Sequence, residues 1–443
     1  MFYLKRLLTD NLLKWKESSR RKPLLVRGIR QVGKTWLLME FGRSAYENVA
    51  YFNFENNKTL SESFQKNLDP QRLIRELGVI NGKVILPGKT LIFFDEIQFC
   101  SDAISALKYF YESAPQYHVV CAGSLLGIAL ARPTSYPVGK VDIMTLRPMS
   151  FYEFLMASGE EMLLDYFYNE LVKLEPIAEM FTAKLENYLK TYYITGGMPE
   201  AVSVWLQTND VSELETVQQN ILNLYELDFA KHAPTPDIPK LSMIWNSIPN
   251  QLAKENGKFV YGLLRAGSGA RAFENAMTWL QNTGMIYKVH KIEKPSMPLK
   301  AYVNNAYFKL YLPDVGLLRK MAGLSAKSVV EENSLYQEFK GVMAENYCLQ
   351  ELVALLEDVP FYWASGNLAE IDFVAQFTDK IVPIEVKAST NTKSKSLSIY
   401  RNKYKPPVSV KTSLLNLNYK DGLLNCPLYL LWRLKVFVEK AQK

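Results

Sequence analysis

Short apolar runs and amphipathic stretches alternate along residues 20–122. The runs, such as Leu91–Phe94 and Val119–Ala122, lack the period-two pattern of half-exposed strands, which is typical of strands buried on both faces. The stretches between them carry apolar residues at helical spacing, and another amphipathic helix is predicted within residues 4–20. This order predicts a parallel sheet covered by helices. The predicted strands are 24–28, 49–54, 90–95 and 118–122, and the predicted helices are 34–42, 71–77 and 103–113.

The pattern changes after Pro148. Helical spacing dominates residues 150–231, and the proline-rich segment Pro234–Pro239 predicts a linker. Residues 240–292 show three helix-like stretches and then a strand, the order of a small winged helix. The chain is therefore predicted to be α/β, in five segments: an α/β core (1–149), a helical lid-like region (150–233), a winged helix (234–294), a connector (295–331) and a C-terminal α/β domain (332–443).

Composition narrows the class of protein. The chain has 443 residues, of which 48% are hydrophobic and 22% charged, which excludes a disordered or fibrous protein. The net charge of +7 permits a nucleic-acid partner without requiring one. Four scattered cysteines and three separate histidines argue against a disulfide framework and a histidine metal centre. The longest apolar stretch, 119–131, is shorter than the roughly 20 residues of a membrane span, so we expect a cytoplasmic protein with no membrane partner.

The strongest chemical motif follows the first predicted strand. It matches G-x-x-x-x-G-K-[ST], a Walker A loop, and comprises Gly28, Ile29, Arg30, Gln31, Val32, Gly33, Lys34 and Thr35. Backbone amides of such a loop surround phosphate oxygens, and the following helix N-terminus adds positive potential. Lys34 is predicted to reach the β- and γ-phosphates of ATP, and the Thr35 hydroxyl to ligate Mg²⁺.

A second motif agrees with the first. The apolar strand 90–95 ends in Asp95 and Glu96, a Walker B pattern, in which Asp95 would hold Mg²⁺ and Glu96 would polarise the attacking water. Ser124 ends the next predicted strand, where a γ-phosphate sensor would lie, although a simple Gly-Ser turn is the alternative. Four arginines are candidates for an arginine finger, and no spacing selects among them: Arg132, Arg147, Arg271 and Arg319. A surface arginine without a catalytic role is the alternative for each.

A carboxylate constellation lies near the C-terminus. Residues 370–374 and 384–387 are predicted to form a hairpin whose loop, Asp379-Lys380, pairs position 372 with 387. Asp372, Glu385 and Lys387 then share one face, and Glu345 lies in the preceding helix. This arrangement resembles the restriction-endonuclease-like fold, in which Asp and Glu bind Mg²⁺ and Lys activates water. The alternative is a charged cluster on a solvated sheet face, with Lys387 neutralising the acids.

Residues 386–420 contain eight Lys or Arg and no Asp or Glu. Tyr400, Tyr404 and Tyr419 are interleaved, so this stretch is a candidate for binding a phosphate backbone, with tyrosines offering stacking surfaces. A solvated basic loop is the alternative.

Taken in order, the motifs resemble a known family. They are Gly28–Thr35, Leu91–Gln98, Gly123–Gly127, Leu146–Phe154, Gly196–Glu200, Phe308–Leu317 and Glu370–Lys387. The chain looks like the prokaryotic AAA-type P-loop ATPases that carry a C-terminal domain of unknown function. The resemblance implies ATP binding, a winged-helix segment and a restriction-endonuclease-like C-terminal domain, but no substrate. Lys140 stands where related sequences often show Gly-Arg, which puts in doubt any finger or sensor role at that position.

These observations lead to competing functional hypotheses. The leading one is an ATP-binding and ATP-hydrolysing protein directed at DNA, with the ATP state controlling the nuclease-like domain. The alternative is a signalling or scaffold ATPase whose nuclease-like domain is inactive and binds a protein partner. A third hypothesis is a nucleotide-dependent assembly protein without a nucleic-acid role. The oligomeric state is left open.

Overall fold

A computed structural model describes residues 4–124, 137, 139–170, 174–254, 257–366, 368–390 and 394–441. They form two compact units. The N-terminal unit contains Lys5–Arg147 and Asn282–Met285, and the C-terminal unit contains Met1–Leu4, Pro148–Gln281 and Ile286–Lys443. The chain therefore passes between the units at residues 4–5, 147–148, 281–282 and 285–286.

The N-terminal unit is built on a parallel sheet. Its strands are β1 (Leu24–Arg27), β2 (Asn48–Asn53), β3 (Thr90–Asp95), β4 (His118–Gly123) and β5 (Asp142–Thr145). Their order is β2-β3-β4-β1-β5, with every pair parallel. The helices are α1 (Leu8–Glu17), α2 (Lys34–Ala45), α3 (Lys58–Lys66), α4 (Pro70–Asn81) and α5 (Ser101–Ser113). Every residue of β3 and β4 is buried, as expected for strands covered on both faces.

Helix α4 shows why these segments extend beyond the predicted ranges. The Asp69 side chain accepts hydrogen bonds from two first-turn amides, and Pro70 occupies the first turn, where it needs no backbone donor. Gly82 ends the helix with φ of +69°, a left-handed geometry that glycine adopts without strain. Leu73 and Leu77 face the core. The caps therefore determine the length of the helix, and the apolar positions determine its buried face.

The sheet order places three functional loops side by side. β4 lies between β1 and β3, so the ends of these three strands adjoin at the carboxyl edge of the sheet. The loop Gly28–Thr35 follows β1, Asp95 ends β3, and Ser124 follows β4. The predicted parallel sheet, with an additional strand beside the acidic one, is confirmed.

The C-terminal unit contains twelve α-helices within the residues that the structure describes. They are α6 (Phe151–Ala157), α7 (Glu161–Glu170), α8 (Glu179–Thr195), α9 (Pro199–Thr208), α10 (Val211–His232), α11 (Ile238–Leu252), α12 (Ala270–Asn282), α13 (Val315–Met321), α14 (Ala326–Val330), α15 (Ser334–Leu356), α16 (Lys395–Tyr404) and α17 (Leu434–Lys440). The helical character predicted for residues 150–231 is observed in the described part of that range.

A mixed sheet of eight strands forms the other layer of this unit. The strands are β6 (Tyr287–Ile292), β7 (Val303–Tyr311), β8 (Phe361–Ser365), β9 (Ala369–Phe377), β10 (Lys380–Val386), β11 (Ser409–Ser413), β12 (Asn418–Lys420) and β13 (Leu423–Pro427). Their order is β12-β13-β11-β10-β9-β8-β6-β7. β6, predicted as part of a winged helix, pairs with β8 in this sheet. The sheet thus joins strands from three of the five predicted segments, whose boundaries stay predictions.

The prediction that Pro234–Pro239 forms a linker is wrong, because this segment is helical from Thr235 onwards. Thr235–Asp237 forms a short 3-10 helix that leads directly into α11. Asp237 is 6% exposed, and its carboxylate pairs with Lys240 at 3.0 Å. Prolines are favourable in the first turn of a helix, so here they begin a helix and do not separate domains.

The C-terminal hairpin differs from the predicted register by two residues. Lys380 pairs with Phe377 and Ile384 with Phe373, so the loop is Thr378-Asp379. Thr378 adopts φ of +56°, which closes the two-residue turn one position earlier than predicted. Because the shift is even, the residues that this ladder pairs, Phe373–Phe377 with Lys380–Ile384, keep their predicted alternation between the two faces.

Close backbone approaches join the helices of the C-terminal unit to the segment after β7. Asp314 is fully buried, and its carboxylate accepts hydrogen bonds from Gly197 N at 2.6 Å and from a first-turn amide of α13. A Cβ on Gly197 would lie 2.0 Å from Met149 O, and one on Gly316 would lie 2.5 Å from Gly196 N. Only glycine fits at these positions without movement of the backbone. Burial raises the pKa of Asp314 to about 6.

Candidate functional site

The loop Gly28–Thr35 connects β1 to α2 with backbone geometry that requires glycine. Gly28 has φ of +158°, and a Cβ there would lie 2.2 Å from Leu146 O. Gly33 has φ of +91° immediately before α2. Ile29 and Val32 are buried, whereas Arg30 and Gln31 are partly exposed. The loop therefore leads into the N-terminus of α2, whose free amides attract an anion.

Lys34 lies at the start of α2 and is 6% exposed. Its Nζ donates hydrogen bonds to Gly28 O at 2.8 Å and to Ile29 O at 2.9 Å. The ammonium group is thus held over the loop by two of the loop's own carbonyls.

Asp95 is the centre of a hydrogen-bond network at the end of β3. Its Oδ2 accepts hydrogen bonds from the hydroxyls of Thr35 and Tyr51, both at 2.9 Å. Burial raises the pKa of Asp95, although these two hydrogen bonds partly offset the effect. Tyr51, which was not predicted as a site residue, lies on β2 opposite Phe93. The sequence feature that could have identified Tyr51 is a tyrosine within the predicted strand 49–54, which precedes the strand that ends in Asp95.

Glu96 follows with φ of +50°, which turns its side chain away from the strand direction. Its Oε2 accepts hydrogen bonds from Gln98 Nε2 and from Ser124 Oγ, the latter at 3.4 Å. The structure therefore brings Ser124 to the predicted catalytic acid. Gln98 was not identified as a site residue from the sequence.

The C-terminal carboxylates also lie together, on one face of β9 and β10. Asp372 Oδ2 accepts a hydrogen bond from Val386 N at 2.7 Å, and Glu385 Oε1 accepts one from Lys387 Nζ at 2.8 Å. Burial raises the pKa of Asp372 well above its usual value, and the charges of Glu345 and Glu385 add to this effect. The predicted grouping of these residues is observed.

Lys309, which the sequence analysis missed, lies inside this cluster. Its side chain is 3% exposed, and its Nζ lies 3.0 Å from Glu345 Oε1 and 2.7 Å from Glu370 Oε1. Tyr311 donates a second hydrogen bond to the same oxygen of Glu345. Burial would lower the pKa of Lys309, but the carboxylates, Glu345 foremost, outweigh it and raise the pKa. Lys309 and Tyr311 alternate along β7, so both side chains reach the same face.

One carboxylate oxygen of the cluster has no hydrogen-bond partner. It is Oε2 of Glu385, a residue that is 5% exposed. Among the residues that the structure describes, no group of three or more His, Cys, Asp or Glu is arranged to hold a metal ion.

Comparison with known proteins assigns the N-terminal region to a family. Residues 20–155 match the model of the AAA domain. The N-terminal unit is an AAA-type ATPase domain. Residues 186–328 and 340–431 match two domains of unknown function, DUF8612 and DUF4143. The P-loop resemblance and the C-terminal domain of unknown function are confirmed.

Individual relatives add little about function. The chain is 32% identical over 92 residues to uncharacterized proteins of Mycobacterium bovis and Mycobacterium tuberculosis, a match that spans a fifth of this chain and a fifth of theirs. Among solved structures, a Walker-type ATPase of Pyrococcus abyssi is 14% identical with a TM-score of 0.47, covering 72% of this chain and 96% of that one. The ORC2 protein of Aeropyrum pernix, in its ADP form, is 13% identical with a TM-score of 0.32, covering 73% and 92%.

The predicted candidates for an arginine finger differ in their exposure and in their contacts. Arg319 is fully buried, and its guanidinium donates to Glu215, Gln218 and two backbone carbonyls, so it is a structural residue. Arg147 is partly exposed and Arg271 is exposed. Arg132 lies outside the described residues. Lys140 forms an ion pair with Glu112 at 3.0 Å.

The tyrosines of the basic stretch are not free stacking surfaces. Tyr400 is 1% exposed, and Tyr404 packs edge-on against Trp363 and at a tilt against Tyr400. Tyr419 donates its hydroxyl to Ala441 O at 2.7 Å. Their apolar rings stabilise the C-terminal unit, so any nucleic-acid contact falls to the charged residues. Lys393 of this stretch lies outside the described residues.

The described helices include none with the length and apolar content needed to cross a bilayer.

Proposed function

We propose that this ATPase acts on DNA and that its nucleotide state controls the C-terminal unit. The AAA domain supplies the ATP site. In this proposal Lys34 binds the β- and γ-phosphates, Glu96 polarises the attacking water, and Ser124 reports the γ-phosphate to Glu96 through their hydrogen bond. A cytoplasmic location, predicted from the short length of the longest apolar stretch, belongs to the same proposal.

Thr35 and Asp95 are the residues that would hold Mg²⁺. Their side-chain oxygens lie 2.9 Å apart at the start of α2, and a hydroxyl with a carboxylate is a donor set that Mg²⁺ prefers. When bound, the ion neutralises charge on the phosphates. Tyr51 keeps the carboxylate oriented towards Thr35 through its own hydrogen bond.

The proposed control of the C-terminal unit is supported by the contacts of the P-loop. The loop contacts residues close to the points where the chain enters and leaves the AAA domain. Arg6, near the first crossing, donates to Val32 O at 3.1 Å. Leu146 O, before the second crossing, lies against Gly28, and Gly284, between the last two, lies close to Ile29. All these neighbours belong to the P-loop. A rearrangement of that loop on hydrolysis therefore acts directly on the chain segments that continue into the C-terminal unit.

DNA is the proposed target because of the C-terminal chemistry. Asp372 and Glu385 are carboxylates that fit a divalent cation, since Glu385 Oε2 is buried without a hydrogen-bond partner. In this proposal Lys387, whose Nζ donates a hydrogen bond to Glu385, stabilises a nearby hydroxide. These three residues, with Glu345, form the proposed second site for phosphodiester chemistry.

A specific observation favours a second candidate function. Lys309 already supplies a positive charge to Glu345 and Glu370, so the cluster is partly neutralised by the protein itself. In this alternative the C-terminal unit is inactive and binds a protein partner, and the ATPase is a signalling or scaffold protein.

One experiment separates the candidates. The purified chain is incubated with ATP, Mg²⁺ and supercoiled plasmid, and phosphate release and strand breaks are scored together. The proposal expects phosphate release that DNA stimulates, and strand breaks that Asp372→Ala abolishes while phosphate release continues. Phosphate release that DNA leaves unchanged, with no strand breaks, would favour the scaffold function.

A further inference from the structure

Helix α16 has two chemically distinct faces. Leu397, Tyr400 and Tyr404 recur at helical spacing and pack on the sheet, where both tyrosine rings contact Trp363. This face anchors the helix, because two large aromatic rings are removed from water. The helix is therefore a fixed platform on the C-terminal unit.

The opposite face is a polar stripe. Lys395, Ser398, Asn402 and Lys405 follow one another at helical spacing and are all exposed. We call these four residues the α16 stripe. Part of the stripe lines a surface groove of about 360 Å³, together with Arg401 and Pro406. No carboxylate lines this groove.

The helix dipole does not account for the charge of the stripe. Cations are favourable in the last turn of a helix, which would explain Lys403 and the cap residue Lys405. Lys395, however, is the first residue of α16, where a cation is unfavourable. An anionic partner along the whole helix accounts for both ends.

The first turn of α16 contacts the strand that carries Glu370. Ser396, in the first turn of α16, accepts a hydrogen bond from Glu370 N at 3.3 Å, and Glu370 is bonded to Lys309. A helix of 10 residues is about 15 Å long, enough to contact about two or three consecutive phosphates of one DNA strand.

We propose that the α16 stripe, with Arg401 beside it, binds the phosphodiester backbone of DNA. This inference rests on the proposed action on DNA and names the surface that makes the contact. Arg401 is held by the backbone carbonyl of Asp421, which orients its guanidinium at the groove. The contact is independent of base sequence, because the stripe offers charges and hydrogen-bond donors without a stacking ring.

The test is duplex DNA binding by the full chain, measured by fluorescence anisotropy between 50 and 200 mM salt. The variant is Lys395→Gln with Lys405→Gln, because both side chains are exposed and glutamine keeps the helix propensity. The matched control is Lys300→Gln with Lys327→Gln, which removes the same charge from side chains that are 73% and 78% exposed elsewhere in the unit. Arg401→Gln is a third variant.

We expect the stripe variant to bind roughly tenfold to a hundredfold more weakly at 100 mM salt and its salt slope to fall by about 1.8. The control should match the wild type, and Arg401→Gln should weaken binding in the same direction. If wild type binds DNA but the stripe variant equals the control, this inference is overturned and the action on DNA stands. If wild type shows no salt-dependent binding, both are overturned.

Discussion

Individual side chains at the nucleotide site are held by contacts that also define their chemistry. Lys34 lies on the loop carbonyls, at hydrogen-bond distance from both. Glu96 is held by Gln98 and Ser124, so its carboxylate has a defined position before nucleotide binds. Removing the charge of Lys34 should therefore impair ATP binding, and removing the charge of Glu96 should impair ATP hydrolysis. Neither change should unfold the protein.

The first prediction concerns these two residues. Lys34→Ala should abolish ATP binding, because the ammonium group is the main charge facing the phosphates. Glu96→Gln should bind ATP normally and hydrolyse it at least about a hundredfold more slowly, since an amide does not activate water. Calorimetry and phosphate release measure the two effects, with Glu47→Gln, an exposed residue paired to Lys89, as the control. Equal ATP affinity of wild type and Lys34→Ala would contradict the assignment of the loop.

A buried acid in the C-terminal unit gives a prediction on pH. Glu351 is 2% exposed, accepts a hydrogen bond from Phe151 N at 2.8 Å and lies near Glu153. Burial raises the pKa of Glu351 to about 8, and the charge of Glu153 adds to it. Between the unfolded pKa and about 8, the native state holds a proton that the unfolded state has released. The free energy of unfolding should therefore fall as the pH rises through this window.

Glu351→Gln tests this directly. Glutamine keeps the acceptor for Phe151 N but does not titrate, so the variant should gain stability relative to wild type at pH 8.5, by up to about 5 kcal/mol, and little at pH 4.5. Guanidinium unfolding of both proteins at the two pH values is the measurement. A difference between the proteins that is independent of pH would show that Glu351 is ionised in the native state throughout.

At the scale of elements, the C-terminal unit depends on close packing between α8, α9 and the segment after β7. Gly197→Ala would place a Cβ 2.0 Å from the backbone oxygen of Met149, and the backbone cannot yield without breaking the contact with Asp314. We predict a loss of stability of about 3 kcal/mol or more in thermal and chemical unfolding.

The control for this substitution is Gly341→Ala. Gly341 lies within α15, and a Cβ there would meet nothing within 4 Å. Alanine should stabilise the helix by up to about 1 kcal/mol. If both substitutions had the same effect on unfolding, the close approach at Gly197 would not be structural.

The strand β7 brings Lys309 into a carboxylate cluster built by later elements, and this predicts the metal affinity of the cluster. Because its ammonium competes electrostatically with a divalent cation, Lys309→Met should bind Mn²⁺ on the order of tenfold more tightly than wild type. Lys291→Met, on the neighbouring strand β6 and paired with the exposed Glu293, is the matched control.

Two readouts distinguish this effect from a loss of folding. Mn²⁺ titration by electron paramagnetic resonance reports the affinity, and thermal unfolding reports whether Mn²⁺ restores the stability that Lys309→Met loses through two unpaired carboxylates. Unchanged or weaker Mn²⁺ binding, without rescue of unfolding, would mean that Lys309 does not influence a cation site.

At the scale of the molecule, local patterns predicted the AAA domain well. Its strands are buried runs such as 90–95, and its loop has a motif whose glycines have unique backbone geometry, so a short window carries the signal. The hairpin with Asp372 was predicted on the correct face, because faces depend only on parity. Its register was not, because the turn geometry at Thr378 has no clear sequence signal.

Features that depend on distant segments were missed. Lys309 contacts Glu345, which is 36 residues away in the sequence, and Tyr51 contacts Asp95, which is 44 residues away. No periodicity connects such residues before the strand order is known. The prolines at 234–239 do not distinguish a linker from a helix start, because proline is favourable both in turns and in the first turn of a helix.

The central claim is that the nucleotide state of the AAA domain controls DNA binding by the whole chain. The most direct test compares duplex DNA affinity of Glu96→Gln with ATP, wild type with ADP, and Lys34→Ala with ATP, by anisotropy at one fixed salt concentration. The account predicts that the first two differ by roughly fivefold or more, and that Lys34→Ala does not respond to ATP. Equal DNA affinity in all three would contradict it.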